Sequence, residues 1–188
     1  MDEGATDRTT FTRMDASTRE DWMVIGTETM RNQSLVGDRI LAMLDSLSDV
    51  IDGFAVDQRT HCLQTATRAE RSGADDEWVV ASLCHDIGKT VCVPNHPKIA
   101  AEILRPYVRP EITAVIAAHQ DFQGRHYYHH FEMDPDMRDR YRDEPWYGLA
   151  ERFADDWDQN SFDPDYPTED LAHFAPRVRA VFGNPHIL

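Results

Sequence analysis

The sequence predicts an all-α protein that folds as one helical domain. Apolar residues recur at helical spacing in several separate stretches. Gly and Pro stand between these stretches at places that suit short connections between helices of about 12 to 16 residues. The chain has 188 residues, which is enough to enclose one hydrophobic core.

The N-terminal part divides into a polar segment and a first helix. Residues 1–16 are polar, and we expect them to be a flexible segment ahead of a single domain at 17–188. Ser17 and Glu20 have the spacing of a capping box, which predicts that a helix begins there and continues to about Asn32.

The later helices are each predicted from an apolar repeat and the Gly, Pro, Asn or Asp residues that bound it. An aromatic and charged segment, 121–145, separates the last two from the rest. These helices run from Val36 to Gly53, Val56 to Ser72, Asp75 or Asp76 to Gly88, Asn95 to Pro106, Pro110 to near His119, and over about 146–160 and 168–182, with an interruption at Pro176.

Composition excludes several classes of function. The net charge is −15, with 34 acidic against 19 basic residues, which argues against a nucleic-acid partner. No apolar run approaches the roughly 20 residues of a membrane helix, and the N-terminus lacks the pattern of a signal peptide. The three cysteines are odd in number and show no disulfide framework, so we expect a cytoplasmic protein.

Four histidines and one aspartate form a possible metal site. His61, His85, His96 and His119 each lie in or at the edge of a predicted helix, and Asp86 follows His85 directly. Antiparallel helices can direct such side chains into one bundle interior, where imidazoles and carboxylates bind iron, manganese or similar ions. Taken singly, each histidine also fits a core, surface or capping position. Together with the aspartate, they favour a metal site.

A late carboxylate completes this set less clearly. Apolar residues from Trp146 to Trp157 define the inward face of the predicted helix at 146–160. Asp158 lies beside that face, whereas Asp155 shares the face of Glu151. Asp158 is therefore the better candidate for an inward ligand, and Asp155 is the alternative.

The pattern of His61, His85-Asp86, His96, His119 and a late aspartate resembles the HD-domain superfamily. The stretches around His61, HDIGK and His96 are most similar to the mixed-valent diiron oxygenases, which include inositol oxygenase and dioxygenases that cleave 1-hydroxyphosphonates. The resemblance implies a helical bundle with two iron ions in its core and with Asp86 bridging them. The implied ligands are His61, His85, Asp86 and Asp158 for one iron, and Asp86, His96 and His119 for the other.

The resemblance is weaker around the substrate. Lys89 matches a lysine of inositol oxygenase and is the expected catalytic contact to an anionic substrate group. Gln123 and Phe162 stand where the phosphonate-cleaving enzymes carry lysines. Ile51 and Phe54 replace their gating Tyr and Glu. Substrate identity therefore stays open.

Three functions follow as hypotheses. The first is a diiron oxygenase that uses O2 to oxidise or cleave a small hydroxylated, anionic substrate, such as a phosphonate. The alternative is a two-metal phosphohydrolase that uses Mn2+ or Mg2+ on a phosphate ester or nucleotide. The third is a non-catalytic, metal-stabilised module. The segment containing His126, His129 and His130, with Tyr127 and Tyr128, either lines the pocket or packs at the surface.

Overall fold

A computed structural model describes residues 8–186, and its regular elements are all helical. The all-α prediction is confirmed. The helices are α1 (Arg19–Ser34), α2 (Val36–Ser46), α3 (Gln58–Arg71), α4 (Asp76–Cys84), α5 (His96–Leu104), α6 (Pro110–Gln123), α7 (Tyr147–Arg152) and α8 (Leu171–Phe182).

The core lies where these helices pack in pairs. α3 packs on α4, α5 on α6, and α2 on α8, while α8 also contacts α4. Four phenylalanines with almost no exposed surface occupy the interior, namely Phe122, Phe153, Phe174 and Phe182. Burial of each such ring stabilises the fold by roughly 1.5–3 kcal/mol, so this bundle is a rigid frame for side chains directed between the helices.

The N-terminal helix lies outside this core. No residue of α1 is buried, and its N-terminus is capped by Thr18, whose hydroxyl accepts from the Asp21 amide while the Asp21 carboxylate accepts from the Thr18 amide. The prediction of a Ser17 and Glu20 capping box was therefore wrong by one residue. Residues 1–7 of the expected flexible segment lie outside the described residues, and a 3-10 turn occupies Met14–Ala16.

The second and third helices are shorter than predicted. α2 ends at Ser46 and continues only as a 3-10 turn, Leu47–Asp49, instead of reaching Gly53. Asp57 caps α3 by accepting from the amide of Thr60, at 2.8 Å. The intervening loop crosses Gly53 at φ 85°, a backbone conformation that glycine adopts without strain.

The fourth helix ends at Cys84 and not at Gly88 as predicted. A 3-10 turn, Ile87–Thr90, follows the His85-Asp86 pair. Gly88 has another role, because a Cβ atom there would lie 2.4 Å from the carbonyl oxygen of His96. Glycine therefore allows the backbone before α5 to approach the His85-Asp86 turn closely.

The last three helices also depart from the predicted boundaries. α6 continues past His119 to Gln123, and α7 passes directly into a π-helical turn, Phe153–Asp158. Pro176 does not interrupt α8. Proline removes one backbone hydrogen bond, but it lies on the exposed side of α8, where water can satisfy the free carbonyl, and buried Phe174 and Val178 hold the helix in place.

None of the helices in residues 8–186 combines the length and apolar character that crossing a bilayer would need. Among the same residues the cysteines are unpaired, with Cys62 and Cys84 buried and Cys92 exposed.

Candidate metal centre

Two groups of side chains meet between α3, α4, α5 and α6. We call His61, His85 and Asp158 the inner half of the cluster, and His96 and His119 its outer half. Asp86 lies between them. All six residues are buried, and each exposes 6% of its surface or less. The sequence-predicted residues are thus brought together in one place.

The inner half joins α3, the end of α4 and the π-helical turn. The Nε2 atoms of His61 and His85 lie 3.0 Å apart, and Oδ1 of Asp158 lies 3.1 Å from His61 Nε2 and 3.5 Å from His85 Nε2. In the π turn the amide of Gln159 donates to the carbonyl of Ala154, five residues back. This wider turn directs Asp158 into the core.

The outer half joins the first residue of α5 to the C-terminal half of α6. The Nε2 atoms of His96 and His119 lie 3.3 Å apart. Asp86 supplies the nearest carboxylate oxygen, because its Oδ1 lies 2.9 Å from His96 Nε2 and 3.4 Å from His119 Nε2. The Oδ2 atom of Asp86 faces the inner half instead, at 3.6 Å from His85 Nε2 and 3.7 Å from His61 Nε2.

The backbone fixes the orientation of every imidazole in the cluster. A carbonyl oxygen can only accept, so each Nδ1 atom that contacts one carries the hydrogen, and the neutral ring presents a lone pair at Nε2. All four histidines share this arrangement. The contacts join His61 to the carbonyl of Ser161, His85 to Ser82, His96 to Val93 and His119 to Ile116, at 2.7 to 2.9 Å.

This arrangement fits metal ions. Adjacent ligands of an octahedral ion at about 2.1 Å lie about 3.0 Å apart, close to the shortest separations in each half. Two buried carboxylate oxygens, Asp86 Oδ1 and Asp158 Oδ2, have no hydrogen-bond donor among the described residues. Facing lone pairs and unpartnered carboxylate oxygens would repel one another in a dry core, and a cation removes that repulsion.

The charges of the cluster also favour a cation. Burial would raise the pKa of Asp86, but His85, His119, His96 and Lys89 hold it well below its usual range. Burial opposes a charge on His85, yet Asp86 and Asp158 raise its pKa well above the ordinary value. Without metal, a proton on His85 partly balances the carboxylates. A proton and a metal ion thus compete for the same place.

Asp155, the alternative late ligand, points away from the cluster. Its carboxylate lies 3.0 Å from Nε2 of His126 and 3.2 Å from Nη1 of Arg138. Asp158 is the buried member of the pair.

A family model for the HD domain matches residues 59–161, more than half of the chain, and this range contains all six side chains of the cluster. The chain belongs to the HD-domain family. HD-domain proteins are commonly metal-dependent enzymes. A search of curated proteins returned no match to the chain.

A cavity of about 610 Å³ opens onto the cluster of this HD domain. His61, Asp86 and His96 form its floor, and the loop at 52–54 and the segment at 120–131 contribute to its walls. Among the described residues, Lys89 is the only lysine or arginine that lines it. The volume suits a small molecule.

Lys89 is held by three acceptors. Its Nζ lies 2.9 Å from Asp86 Oδ2, 3.0 Å from Gln58 Oε1 and 3.3 Å from Asp52 Oδ2. Burial would lower the pKa of Lys89, but Asp86 and Asp52 raise it above the ordinary value, so the ammonium stays charged. Asp86 Oδ2 is also the oxygen that faces the inner half, and a cation there would compete with Lys89 for it.

Sequence reasoning missed several residues of this HD-domain site. The sequence did not predict that Gln58 and Asp52 contact Lys89. Gln58 nevertheless precedes His61 by one helical turn and shares its polar face. Gln123 donates to Oδ1 of Asp158 at 2.9 Å, and Phe162 stacks on His61 with ring centroids 4.3 Å apart. The sequence showed only that these two positions lack lysines.

Proposed function

We propose that this HD-domain protein is a non-haem diiron oxygenase that acts on a small hydroxylated, anionic substrate. The observation that carries the proposal is the shared carboxylate of Asp86, which turns one oxygen to each pair of histidines. A carboxylate placed in this way between two sets of Nε2 atoms is what a dinuclear site needs.

In this proposal the two halves hold one iron each. His61, His85 and Asp158 with Asp86 would bind the inner ion, and His96 and His119 with Asp86 would bind the outer one. Bound iron supplies the redox chemistry that couples dioxygen to oxidation of a substrate C–H bond, and it polarises the substrate oxygen. The protein sets the positions of these ligands through the backbone carbonyls that orient each histidine.

Charge explains why the substrate is expected to be anionic. Two divalent ions would exceed the charge of the two ligand carboxylates, Asp86 and Asp158, and the lining pair of Lys89 and Asp52 is neutral as a whole. The loaded cavity is therefore positive. A cation that takes Asp86 Oδ2 would free one N–H of Lys89, which stands at the edge of the cavity, to donate to an oxyanion.

The apolar part of the wall favours the oxygenase over a hydrolase. Phe162 covers one face of the His61 ring, and Phe54 packs on Phe162 with centroids 4.6 Å apart. The Phe162 ring covers that face of His61 against water, and such shielding of the inner half protects oxidative chemistry from side reactions. A nucleotide would also need more than one lining lysine or arginine.

A two-metal phosphohydrolase is the second candidate. Two lining amides, Gln120 and Gln123, could donate to phosphate oxygens beside Mn2+ or Mg2+. This candidate needs an activated water at the cluster in place of dioxygen.

Anaerobic purification with iron separates the two candidates. The oxygenase predicts about two iron ions per chain, a mixed-valent signal in electron paramagnetic resonance and oxygen uptake with a hydroxylated phosphonate or polyol acid. Phosphatase activity with Mn2+ or Mg2+ and no oxygen uptake would support the hydrolase, and a single bound ion would contradict both.

A further inference from the structure

His126 is a titratable group of the cavity that lies outside the metal cluster. It ends the short 3-10 turn Gly124–His126 that follows α6, and it lines the cavity together with Tyr127. Its side chain is 37% exposed. A residue that both lines a cavity and reaches solvent stands at the mouth of that cavity, where it can contact a bound molecule and exchange protons with water.

A carboxylate and a guanidinium hold this imidazole in place. Nε2 of His126 lies 3.0 Å from Oδ1 of Asp155. Nη1 of Arg138 donates to both oxygens of Asp155, each at 3.2 Å, and the Arg138 side chain is only 11% exposed. The wide π turn that directs Asp158 into the metal cluster therefore directs Asp155 to His126.

The same hydrogen-bond logic fixes which nitrogen is free. A carboxylate accepts, so Nε2 of His126 carries its hydrogen toward Asp155, and Nδ1 is the nitrogen that faces the cavity side of the ring without a partner in residues 8–186. A histidine oriented by a carboxylate, with its second nitrogen free at a cavity, is the arrangement that general acid–base chemistry uses.

The remaining lining groups indicate what binds beside it. Gln120, Tyr127 and the second amide hydrogen of Gln123 can donate hydrogen bonds into the cavity, and a cation that takes Asp86 Oδ2 would free one N–H of Lys89 for the same purpose. The two lining carboxylates, those of Asp52 and Asp86, are engaged with Lys89 and the metal cluster. These donors suit a molecule that presents oxyanion oxygens.

We propose that His126, oriented by Asp155, contacts an oxyanion group of the substrate and exchanges a proton with it through Nδ1. The inference rests on the proposed function for the metal-bound substrate. The imidazolium of His126 gives its Nδ1 proton to a substrate oxygen. The neutral ring that remains keeps the hydrogen bond from Nε2–H to Asp155. Solvent at the mouth returns the proton. Asp155 and Arg138 act as positioning residues.

The chain offers a matched control three residues away. His129 and His130 are exposed, their rings lie 3.9 Å apart, and neither lines the cavity. Within the described residues neither of them pairs with a carboxylate. They share the segment, the residue type and the exposure of His126, but they neither line the cavity nor contact Asp155.

The test is calorimetric binding of inorganic phosphate to the full chain loaded with iron, or with Mn2+, in buffers of different ionisation enthalpy. The difference between buffers gives the protons exchanged per phosphate bound. The wild type and His129→Gln are expected to exchange the same fraction of a proton. His126→Gln, whose amide can still donate to Asp155, is expected to lose that fraction and to bind phosphate about tenfold more weakly. Asp155→Asn is expected to weaken binding less.

Equal proton exchange in His126→Gln and the wild type would overturn the inference, and so would a loaded protein that does not bind phosphate. The metal content of each variant is counted in parallel and is expected to stay at the wild-type value. Loss of metal from His126→Gln would assign the residue to the cluster and contradict the proposal. A wild-type chain that binds no metal overturns the proposed function as well, whereas failure of proton exchange alone leaves it standing.

Discussion

The inner and outer halves of the cluster differ in what supports them. The inner half has its own carboxylate, Asp158, which is completely buried, and its histidines come from α3 and the end of α4. The outer half shares Asp86 and has no carboxylate of its own among the described residues, and His96 is the most exposed of the six side chains. We therefore expect a tightly held inner ion and an outer ion with open positions for substrate or dioxygen.

The largest effect is expected where the halves meet. Asp86→Asn removes the carboxylate that both halves share, so metal content should fall from about two ions per chain to less than about one, with loss of turnover. Metal counting by mass spectrometry after anaerobic loading checks this. The control is Asp45→Asn. Asp45 is an exposed residue that pairs with Arg59, and its substitution should leave the metal content at the wild-type value. Full metal content in Asp86→Asn would remove Asp86 from the ligand set.

Substitutions confined to one half should show how tightly each of the two ions is bound. His96→Gln is expected to lower metal content from about two ions to about one and to leave a tightly bound remainder. Asp158→Asn weakens the inner half and should make the remaining metal easier to remove with a chelator, because the outer half has fewer ligands. The measurement is the rate of metal release to a chelator. Identical release from both variants would contradict the asymmetry.

A glycine outside the ligand set should weaken the outer half alone. In Gly88→Ala the new Cβ would meet the backbone of His96 at 2.4 to 2.9 Å, so the start of α5 must shift. We expect a loss of about 1–3 kcal/mol in the free energy of unfolding and partial loss of the outer ion.

Gly148→Ala is the control for this change, because a Cβ at that position has open space around it. It should alter the free energy of unfolding by less than about 1 kcal/mol, in the stabilising direction within α7. Thermal unfolding and metal counting of both variants check the pair. An outer ion retained at full occupancy in Gly88→Ala would show that the close approach does not position His96.

Substitution of Lys89 tests the substrate side of the cavity without changing the number of metal ligands. Lys89→Met should keep both metal ions and weaken binding of an anionic substrate by roughly 10- to 100-fold, since one charge-assisted hydrogen bond is lost. Lys98→Met changes the other lysine of the chain, which is exposed on α5, and should have no effect. Steady-state kinetics of both variants provide the comparison, and equal KM values would exclude Lys89 as a substrate contact.

The smallest effect is expected far from both halves. Glu70 lies between His173 and Arg177, and although burial opposes it, their hydrogen bonds lower the pKa of its carboxyl. This contact should stabilise the fold above the ordinary glutamate pKa, and the contribution should disappear as the pH falls through the lowered value. Glu70→Gln should thus lower the melting temperature at pH 7 but not under strongly acidic conditions, with metal content unchanged. A loss of stability of equal size under both conditions would contradict this.

The fold class and the family were predictable because they depend on patterns the sequence carries directly. Apolar periodicity gave the helices, and the spacing of His61, the His85-Asp86 pair and the later residues gave the HD-domain resemblance, which the family match confirms. The preference for Asp158 over Asp155 as the inward side chain also rested on periodicity.

Other features depend on contacts that no local pattern carries. The π turn at Phe153–Asp158 follows from packing around buried Phe153 and Trp157, and helical periodicity assumes a narrower turn. Gly88 was predicted to end a helix, but its main role is an approach to a backbone eight residues later. Two of the acceptors around Lys89, Asp52 and Gln58, come from a loop and from α3. The tertiary fold brings them to Lys89, and no local sequence pattern indicates these contacts.

The central claim is that one HD-domain cluster holds two metal ions on either side of Asp86. Anomalous X-ray diffraction at the iron edge, on crystals of the anaerobically loaded protein, tests it most directly. We expect two peaks roughly 3.5–4 Å apart, one beside His61 and one beside His96, with Asp86 between them. A single peak, or two peaks without Asp86 between them, would contradict it.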